Sequence, residues 1–440
     1  MNDFIVTGFS KYSKQQRIEA LIQKYHFDAD MVSRLESFEV TNPSTQKIIE
    51  DLSENQVSNF HLPFSMAPNF IVNGHNLFFP LVTEESSVVA ALAKTAGFWA
   101  SRGGFHAEVL GTEKKGQVHF KWSGKVEKLR LLFPEIKAKL LVECAFLMTK
   151  MVERGGGVSS FELKEMNNVM NNYYQLDIGF QTCDAMGANF INSCLEQFAK
   201  SLQGYFRISE KVSGHEKDCE IIMAILSNYT PESRVRAWIE CPVSDLLEGK
   251  SEVENLLFAR KFEEAILISL ADIGRAVTHN KGIFNGIDAL ALATGNDFRA
   301  IEACGHAYAS RKGTYRGLTD VQVMNGTFRF SIELAMSVGV VGGITAVHPM
   351  AKLALRILDN PSARELMMYM AVVGLASNFG AVKALVSKGI QQGHMKMHLN
   401  NIMKQLNIPE DRISEIQLYF QNETISFSGI EQFWKNHKDE

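Results

Sequence analysis

Three segments of the chain carry residue types that could move protons or hold developing charge. The first, Thr83-Glu-Glu-Ser-Ser87, sets two carboxylates and two hydroxyls where an apolar helical pattern begins and runs on to Lys94. Helix capping alone favours these residue types. Acid chemistry needs one carboxyl protonated instead, which the positive helix end opposes and burial favours. The second segment runs from Arg275 to Asp288 and continues into Ala293-Thr-Gly-Asn-Asp297. A helix, a glycine turn and a new helix capped by Asn296 or Asp297 account for the amides and carboxylates, but capping has no need of Arg275, His279 and Lys281. A lysine beside an aspartate keeps its charge, because the anion offsets desolvation, and such a pair can hold an oxyanion. The third, Cys183-Asp-Ala-Met-Gly-Ala-Asn-Phe-Ile-Asn192, follows an extended run and opens a helix. Free backbone N–H groups at such a place bind phosphate, although an aspartate cap followed by glycine is also common.

Two further segments are ambiguous. Gly339-Val-Val-Gly-Gly-Ile-Thr345 could approach a ligand closely or only permit tight helix contact, and neither glycine segment fits G-x-G-x-x-G. A dinucleotide would therefore need a fold other than the Rossmann fold. His394 and His398 stand i, i+4 on a helical pattern without the glutamate of H-E-x-x-H, so no metal is expected. An imidazole there could serve as a general acid if its segment moves.

These groups must be positioned by a mostly helical chain. Phe262, Ile266, Leu270, Ile273 and Val277 share one face of an expected helix. Extended runs gather in the centre, at 116–122, 158–164, 173–182 and 219–226, with helical patterns at about 126–154 and 188–205. Strand, helix, two strands, helix, strand is the split βαβ order of ferredoxin-like domains. We expect a small α+β unit over 110–228 inserted in a larger helical one, and a hinge at Ser387-Lys-Gly-Ile-Gln-Gln-Gly393 before a short carboxy-terminal module.

With 440 residues and 46 % apolar side chains, the chain can bury two or three cores. The net charge of −4, from 45 basic and 49 acidic residues, offers no field to gather nucleic acid or an anionic membrane. The amino terminus has no signal-peptide pattern. The runs Leu334–Val347 and Met367–Val382 fall short of the roughly 20 residues of a membrane helix. Cys144, Cys183, Cys194, Cys219, Cys241 and Cys304 lack any C-x-x-C pairing and read as buried free thiols in a reducing, cytoplasmic setting.

Taken in order, the segments resemble the class II hydroxymethylglutaryl-coenzyme A reductases. The likeness runs from about Gly8 to about Asn401, and is strongest at Glu84–Ala91, Asp184–Asn192, Arg275–Asp297, Glu302–Ala309, Gly339–Pro349 and Gly393–His398. It implies an α+β fold with a large, mainly helical substrate-binding domain (1–109 and 229–375), an inserted ferredoxin-like dinucleotide-binding domain (110–228) and a helical flap (376–440). It implies reduction of 3-hydroxy-3-methylglutaryl-coenzyme A to mevalonate and coenzyme A by two hydride transfers from NADPH or NADH. A homodimer with the active site at the subunit interface follows from the resemblance, which allows a larger assembly such as a hexamer of dimers.

Residue by residue, the resemblance makes Glu85, Lys281, Asp297 and His394 catalytic. Lys281 would hold the oxyanion, with Asp297 orienting it. Glu85 would protonate the oxygen of the aldehyde intermediate, and His394 the departing thiolate. Ser87, Arg275 and Asn285 would bind substrate, Arg275 through its free carboxylate. Asp184, Met186, Gly187, Asn189, Asn192 and Asn228 would bind the cofactor. The family's Glu-Pro-Ser is Glu85-Ser-Ser87 here, and its Glu-Asn-Val-Ile-Gly is altered to Glu54-Asn-Gln-Val-Ser58, followed by Asn59. Lys150 and Glu153 precede Gly155 where the adenosine ribose would be read, and the lean is to NADPH. The alternatives are a binding protein that lost the chemistry, against which all four catalytic residues weigh, and a reductase of another acyl-coenzyme A, against which Arg275 and Ser87 weigh.

Overall fold

The computed structural model describes residues 6–387, 399, 402–420 and 426–437. Three helices, α1 (Lys14–Tyr25), α2 (Ala29–Ser37) and α3 (Pro43–Glu50), open the chain, and Ser13, Asp28 and Asn42 cap them through their side-chain oxygens. A hairpin follows, β1 (Phe64–Val72) and β2 (His75–Val82), turned by Asn73 and Gly74 at φ 48° and 87°. Such positive angles suit an Asn-Gly turn. Then come α4 (Val88–Ala100) and β3 (His106–Val109).

The central unit consists of β4 (Lys114–Trp122), α5 (Val126–Glu153), β5 (Gly157–Glu165), β6 (Tyr173–Gln181), α6 (Ala188–Ile208) and β7 (Cys219–Ser227). Its strands lie in the order β5-β6-β4-β7, all neighbours antiparallel, which with the two helices is the split βαβ topology. Phe120, Leu140, Ile178 and Leu195 belong to a core of its own.

The chain then forms β8 (Arg234–Pro242), α7 (Glu252–Ala271), α8 (Ile273–Ala293), α9 (Phe298–Ala309), β9 (Thr319–Met324), β10 (Thr327–Ala335), α10 (Gly343–Val347), α11 (Pro349–Ile357) and α12 (Ala363–Ser387). A second Asn-Gly pair, Asn325 and Gly326, turns β9 into β10, and the sheet order is β3-β8-β10-β9. Strands are expected from sequence only in the central stretch, and the β1–β2 hairpin and this four-stranded sheet lie outside it.

Three expectations need correction. The face from Phe262 to Val277 belongs to two helices, because Asp272 ends α7 and its carboxylate accepts from the Arg275 amide to start α8; Ile273 and Val277 are exposed. The apolar run Met367–Val382 lies in a 25-residue helix, long and apolar enough to cross a membrane. That helix, α12, is the centre of the large core, with Val372, Val373, Leu375 and Phe379 buried. A Cβ on Gly286 of α8 would stand 2.7 Å from the Val373 side chain, and one on Gly374 would stand 2.9 Å from Ile287, so both glycines permit the two helices to touch. Finally, the boundary expected at 375/376 falls inside α12, whose buried face continues to Val382. A third, small core of Leu399, Ile402, Met403, Ile416, Phe420 and Ile430 belongs to the described carboxy-terminal residues.

Candidate functional site

Glu85 lies just before α4, its amide donating to Thr83 Oγ1 at 3.2 Å, and Ser87 at φ 81° forms the helix boundary. Lys281, on α8, donates from Nζ to Glu85 Oε2 at 2.9 Å, joining positions 196 residues apart. The ion pair faces solvent, with side chains 61 % and 43 % exposed. The Lys281 ammonium is thus open in the single chain. Asn285 follows Lys281 by four residues on the same helix face and is half-buried. Arg275, six residues before Lys281, is partly buried; burial lowers the affinity of its guanidinium for the proton, and among the described residues no carboxylate offsets this. A cation in that state suits an anionic ligand.

Other polar residues of α8 are structural. His279 is buried, its Nε2 2.6 Å from Thr319 Oγ1, and burial with the nearby Arg275 charge depresses its pKa to about 3. Asn280, fully buried, donates to the Arg316 carbonyl at 2.9 Å and accepts from the Leu318 amide at 3.0 Å. Burial and the neighbouring carboxyl of Glu302 push the Asp288 carboxyl well above the usual range.

Asp297 stands elsewhere. It caps α9, accepting from the Ala300 amide at 3.2 Å and from Arg299 Nε at 3.0 Å. Lys281 precedes the end of α8 at Ala293 by twelve residues, which is about 18 Å of helix rise. In the single chain Lys281 pairs with Glu85 and Asp297 with Arg299, and among the described residues no Lys281–Asp297 ion pair forms.

Asp297 belongs to a second polar centre. Its neighbour Asn296 accepts from the Gly339 amide at 2.9 Å. The Gly339 segment lies against the loop before α6: the Val340 amide donates to the Asp184 carbonyl at 2.9 Å, and Ala185 bridges Val341. A Cβ on Gly339 would stand 2.3 Å from the Met186 nitrogen, so only glycine allows this approach. The Asp184 carboxylate accepts from the Ala363 amide at the start of α12, at 2.8 Å, where the helix dipole favours an anion. Gly187, at φ 93°, precedes α6 without a side-chain cap, leaving the first N–H groups of a 21-residue helix free for an anion.

Lys114 holds this loop from beneath. Its Nζ donates to Thr182 Oγ1 at 2.6 Å and to the Ala185 carbonyl at 2.7 Å, and burial lowers its pKa to about 8 against the opposing charges of Cys183 and Asp184. Sequence reading missed Lys114, although counting back in twos from Trp122 along β4 lands it on the inward face. It also missed the side chain of Asn296 as the link between Asp297 and Gly339.

The remaining expected residues divide. Met186 is half-buried and Asn189 exposed in the loop. Asn192 accepts from the Leu226 amide at 2.9 Å, tying α6 to β7, and Asn228 lies in the bend after β7. Cys183 departs from the expectation of buried thiols: it is exposed, and its thiol reaches the Arg154 carbonyl at 3.2 Å. That contact sets the end of α5, with exposed Lys150 and Glu153, beside the loop. In the altered segment Glu54–Ser58, Ser58 donates to the Leu35 carbonyl at 2.5 Å, and Asn59 bonds Gln46 and Gln56. His394, His398 and the hinge segment beyond Ser387 lie outside the described residues. Among the described residues no His, Cys, Asp and Glu cluster fits a metal.

The model of the family Hydroxymethylglutaryl-coenzyme A reductase matches residues 13–399. The 3-hydroxy-3-methylglutaryl-coenzyme A reductase of Archaeoglobus fulgidus is 33 % identical over 417 residues, spanning 93 % of this chain and 89 % of the relative. The probable 3-hydroxy-3-methylglutaryl-coenzyme A reductase of Borreliella burgdorferi is 32 % identical, spanning 92 % and 89 %. Among solved structures, the class II enzyme of Streptococcus pneumoniae bound to NADPH in open conformations is 36 % identical with a TM-score of 0.70, covering 87 % of this chain and 99 % of that one. A second structure of the Streptococcus pneumoniae reductase is 34 % identical with a TM-score of 0.73, covering 98 % and 99 %.

Proposed function

The chain belongs to the hydroxymethylglutaryl-coenzyme A reductase family, and from that premise we propose that it reduces 3-hydroxy-3-methylglutaryl-coenzyme A to mevalonate and coenzyme A. The observation that carries the reading is the approach of Lys281 Nζ to Glu85 Oε2 at 2.9 Å. It puts a cation able to hold an oxyanion beside a carboxyl able to deliver a proton.

A nicotinamide cofactor would supply a hydride in each of two reductions. The loop fits its phosphates through the uncapped start of α6, the glycine contact at Gly339 and the Lys114 ammonium below. We place Asp184, Met186, Gly187, Asn189, Asn192 and Asn228 around it. Our reading favours NADPH, with Lys150 and Arg154 at the end of α5 toward the ribose phosphate; kcat/KM with each cofactor tests the choice.

On this reading Arg275 receives the substrate's free carboxylate, with Ser87 and Asn285 as neighbouring contacts. Lys281 holds the negative charge that develops on the carbonyl oxygen. When the first adduct collapses, the C–S bond breaks and His394 protonates the thiolate. In the second reduction Glu85 gives its proton to the aldehyde oxygen. The separation of Lys281 from Asp297 along α8 supports a site shared by two chains, Lys281 and Glu85 from one and Asp297 of the partner subunit.

Two assays test this. Reduced-nicotinamide absorbance should fall when the thioester is added to the enzyme and its cofactor, and should stay level for Lys281→Ala. Mixing subunits of Lys281→Ala with subunits of Asp297→Ala should restore part of the activity that each lacks alone. No recovery after subunit exchange would place the complete site within one chain.

A further inference from the structure

The sheet β3-β8-β10-β9 turns one face inward, where Phe330 packs on Phe262 and Phe379, and the other face outward, carrying Arg236, Arg329 and Glu333. Beside that outer face, the segment after α9 borders a cleft of about 530 Å³ that is open to solvent on one side. This lies in the range of small-molecule sites. Arg311, Lys312 and Arg316 line it from the segment, and Arg236 and Arg329 from the sheet, against only two carboxylates, Asp320 and Glu333.

Glu333 is already engaged, accepting from Arg236 Nη2 at 2.7 Å and from the Tyr308 hydroxyl at 2.6 Å. Arg329 reaches Glu240 at 3.5 Å, with its guanidinium 4.8 Å from the Trp238 ring centre. Arg311 lies 3.8 Å from the Tyr308 ring centre and donates from Nη1 to the Tyr308 carbonyl at 2.8 Å, which sets its guanidinium plane. Among the described residues, Lys312 and Arg316 make no ion pair with Asp320, the remaining acid of the cavity.

The Arg316 segment is also held rigidly. The Gly317 amide donates to the Ser269 carbonyl at 2.9 Å, and Asn280 of α8 binds the Arg316 carbonyl and the Leu318 amide. A Cβ on Gly317 would stand 2.5 Å from Ser269 Oγ, so the contact needs glycine. Cations gathered on a fixed frame repel one another, and that arrangement is relieved by a bound anion. Guanidinium forks match phosphate oxygens in particular.

We propose that this cavity binds a small phosphorylated anion bearing at least two negative charges, at a site separate from the Glu85–Lys281 centre. The test uses the full chain and inorganic pyrophosphate, titrated calorimetrically at constant ionic strength into the wild type and into Lys312→Ala/Arg316→Ala. The wild type should show a class of sites that the double variant binds at least about tenfold more weakly, with thioester turnover unchanged. Lys312→Glu alone, at an exposed loop position that leaves the fold intact, should weaken binding in the same direction. Identical isotherms for the wild type and the variants, or no binding by the wild type, would overturn the proposal. Equal loss of turnover in the double variant would also overturn it, because the cavity would then be part of the catalytic centre.

Discussion

The two polar centres of this molecule are built in opposite ways. Around Lys281 and Glu85, side chains do the joining: an exposed ion pair links two segments far apart in the chain, and Arg275 has no carboxylate partner among the described residues. Around Asp184 and Gly339, the backbone does it, through amide–carbonyl bonds, a glycine contact and a buried lysine. An open pair of charges costs little to rearrange when substrate arrives, whereas a loop locked by backbone bonds keeps its N–H groups aimed at one place. The first suits changing charge, and the second suits holding a fixed anionic group.

Removing the cation makes the sharpest test of that contrast. Lys281→Ala should lower turnover by about 10²–10³ while leaving thermal stability almost unchanged, because an exposed ion pair contributes at most about 1 kcal/mol. Stability loss of several kcal/mol, read by denaturant titration, would mean that the pair is structural. The reverse pattern is expected of Gly339→Ala. Its Cβ would meet the Met186 nitrogen at 2.3 Å, so the loop must move, at about 1–3 kcal/mol of stability, and the KM for the nicotinamide cofactor should rise about tenfold. Unchanged cofactor KM would remove the loop from the cofactor's site.

The two centres also differ in which buried group titrates. Lys114, depressed to about 8, loses its charge beneath the loop as pH rises through that value. Cofactor KM should therefore rise roughly fivefold above pH 8, and Lys114→Met should have the raised KM at every pH. His279 behaves differently. Its folded pKa of about 3 lies below the ordinary imidazole value of 6.5, so between those limits the unfolded chain binds the extra proton. Stability is complete above about pH 6.5 and falls as pH drops toward 3, by about 1 kcal/mol between 6.5 and 5.5. Denaturation of His279→Gln across that interval should lack this slope.

Much of the central unit was readable because β4 alternates strictly, β6 is an almost continuous buried run and the helices are long; the observed elements begin and end within a few residues of those expected. The helix carrying Lys281 was harder. Asn280, Gly282, Asn285 and Gly286 are poor helix formers, and local chemistry suggested a turn region around them. Packing against α12 overrides that preference, because the glycines allow close approach. Without knowing that α8 is continuous, the placing of Lys281 and Asp297 on different helices could not be foreseen. The hairpins at 73–74 and 325–326 were legible and missed: each has an Asn-Gly pair between apolar runs. The cavity beside Arg316 joins residues from β8 to β10 and had no local signature.

Helix α12 has one further consequence. Ser377 donates to the Gly282 carbonyl at 2.7 Å, next to Lys281, and the helix ends at Ser387. Those ten residues amount to about 15 Å of helix, while the seven from Ser387 to His394 make a tether of at most about 25 Å. Its anchor is pinned in the core by Val382 and Phe379. Chain length alone therefore lets the imidazole of each subunit reach the ammonium of that same subunit.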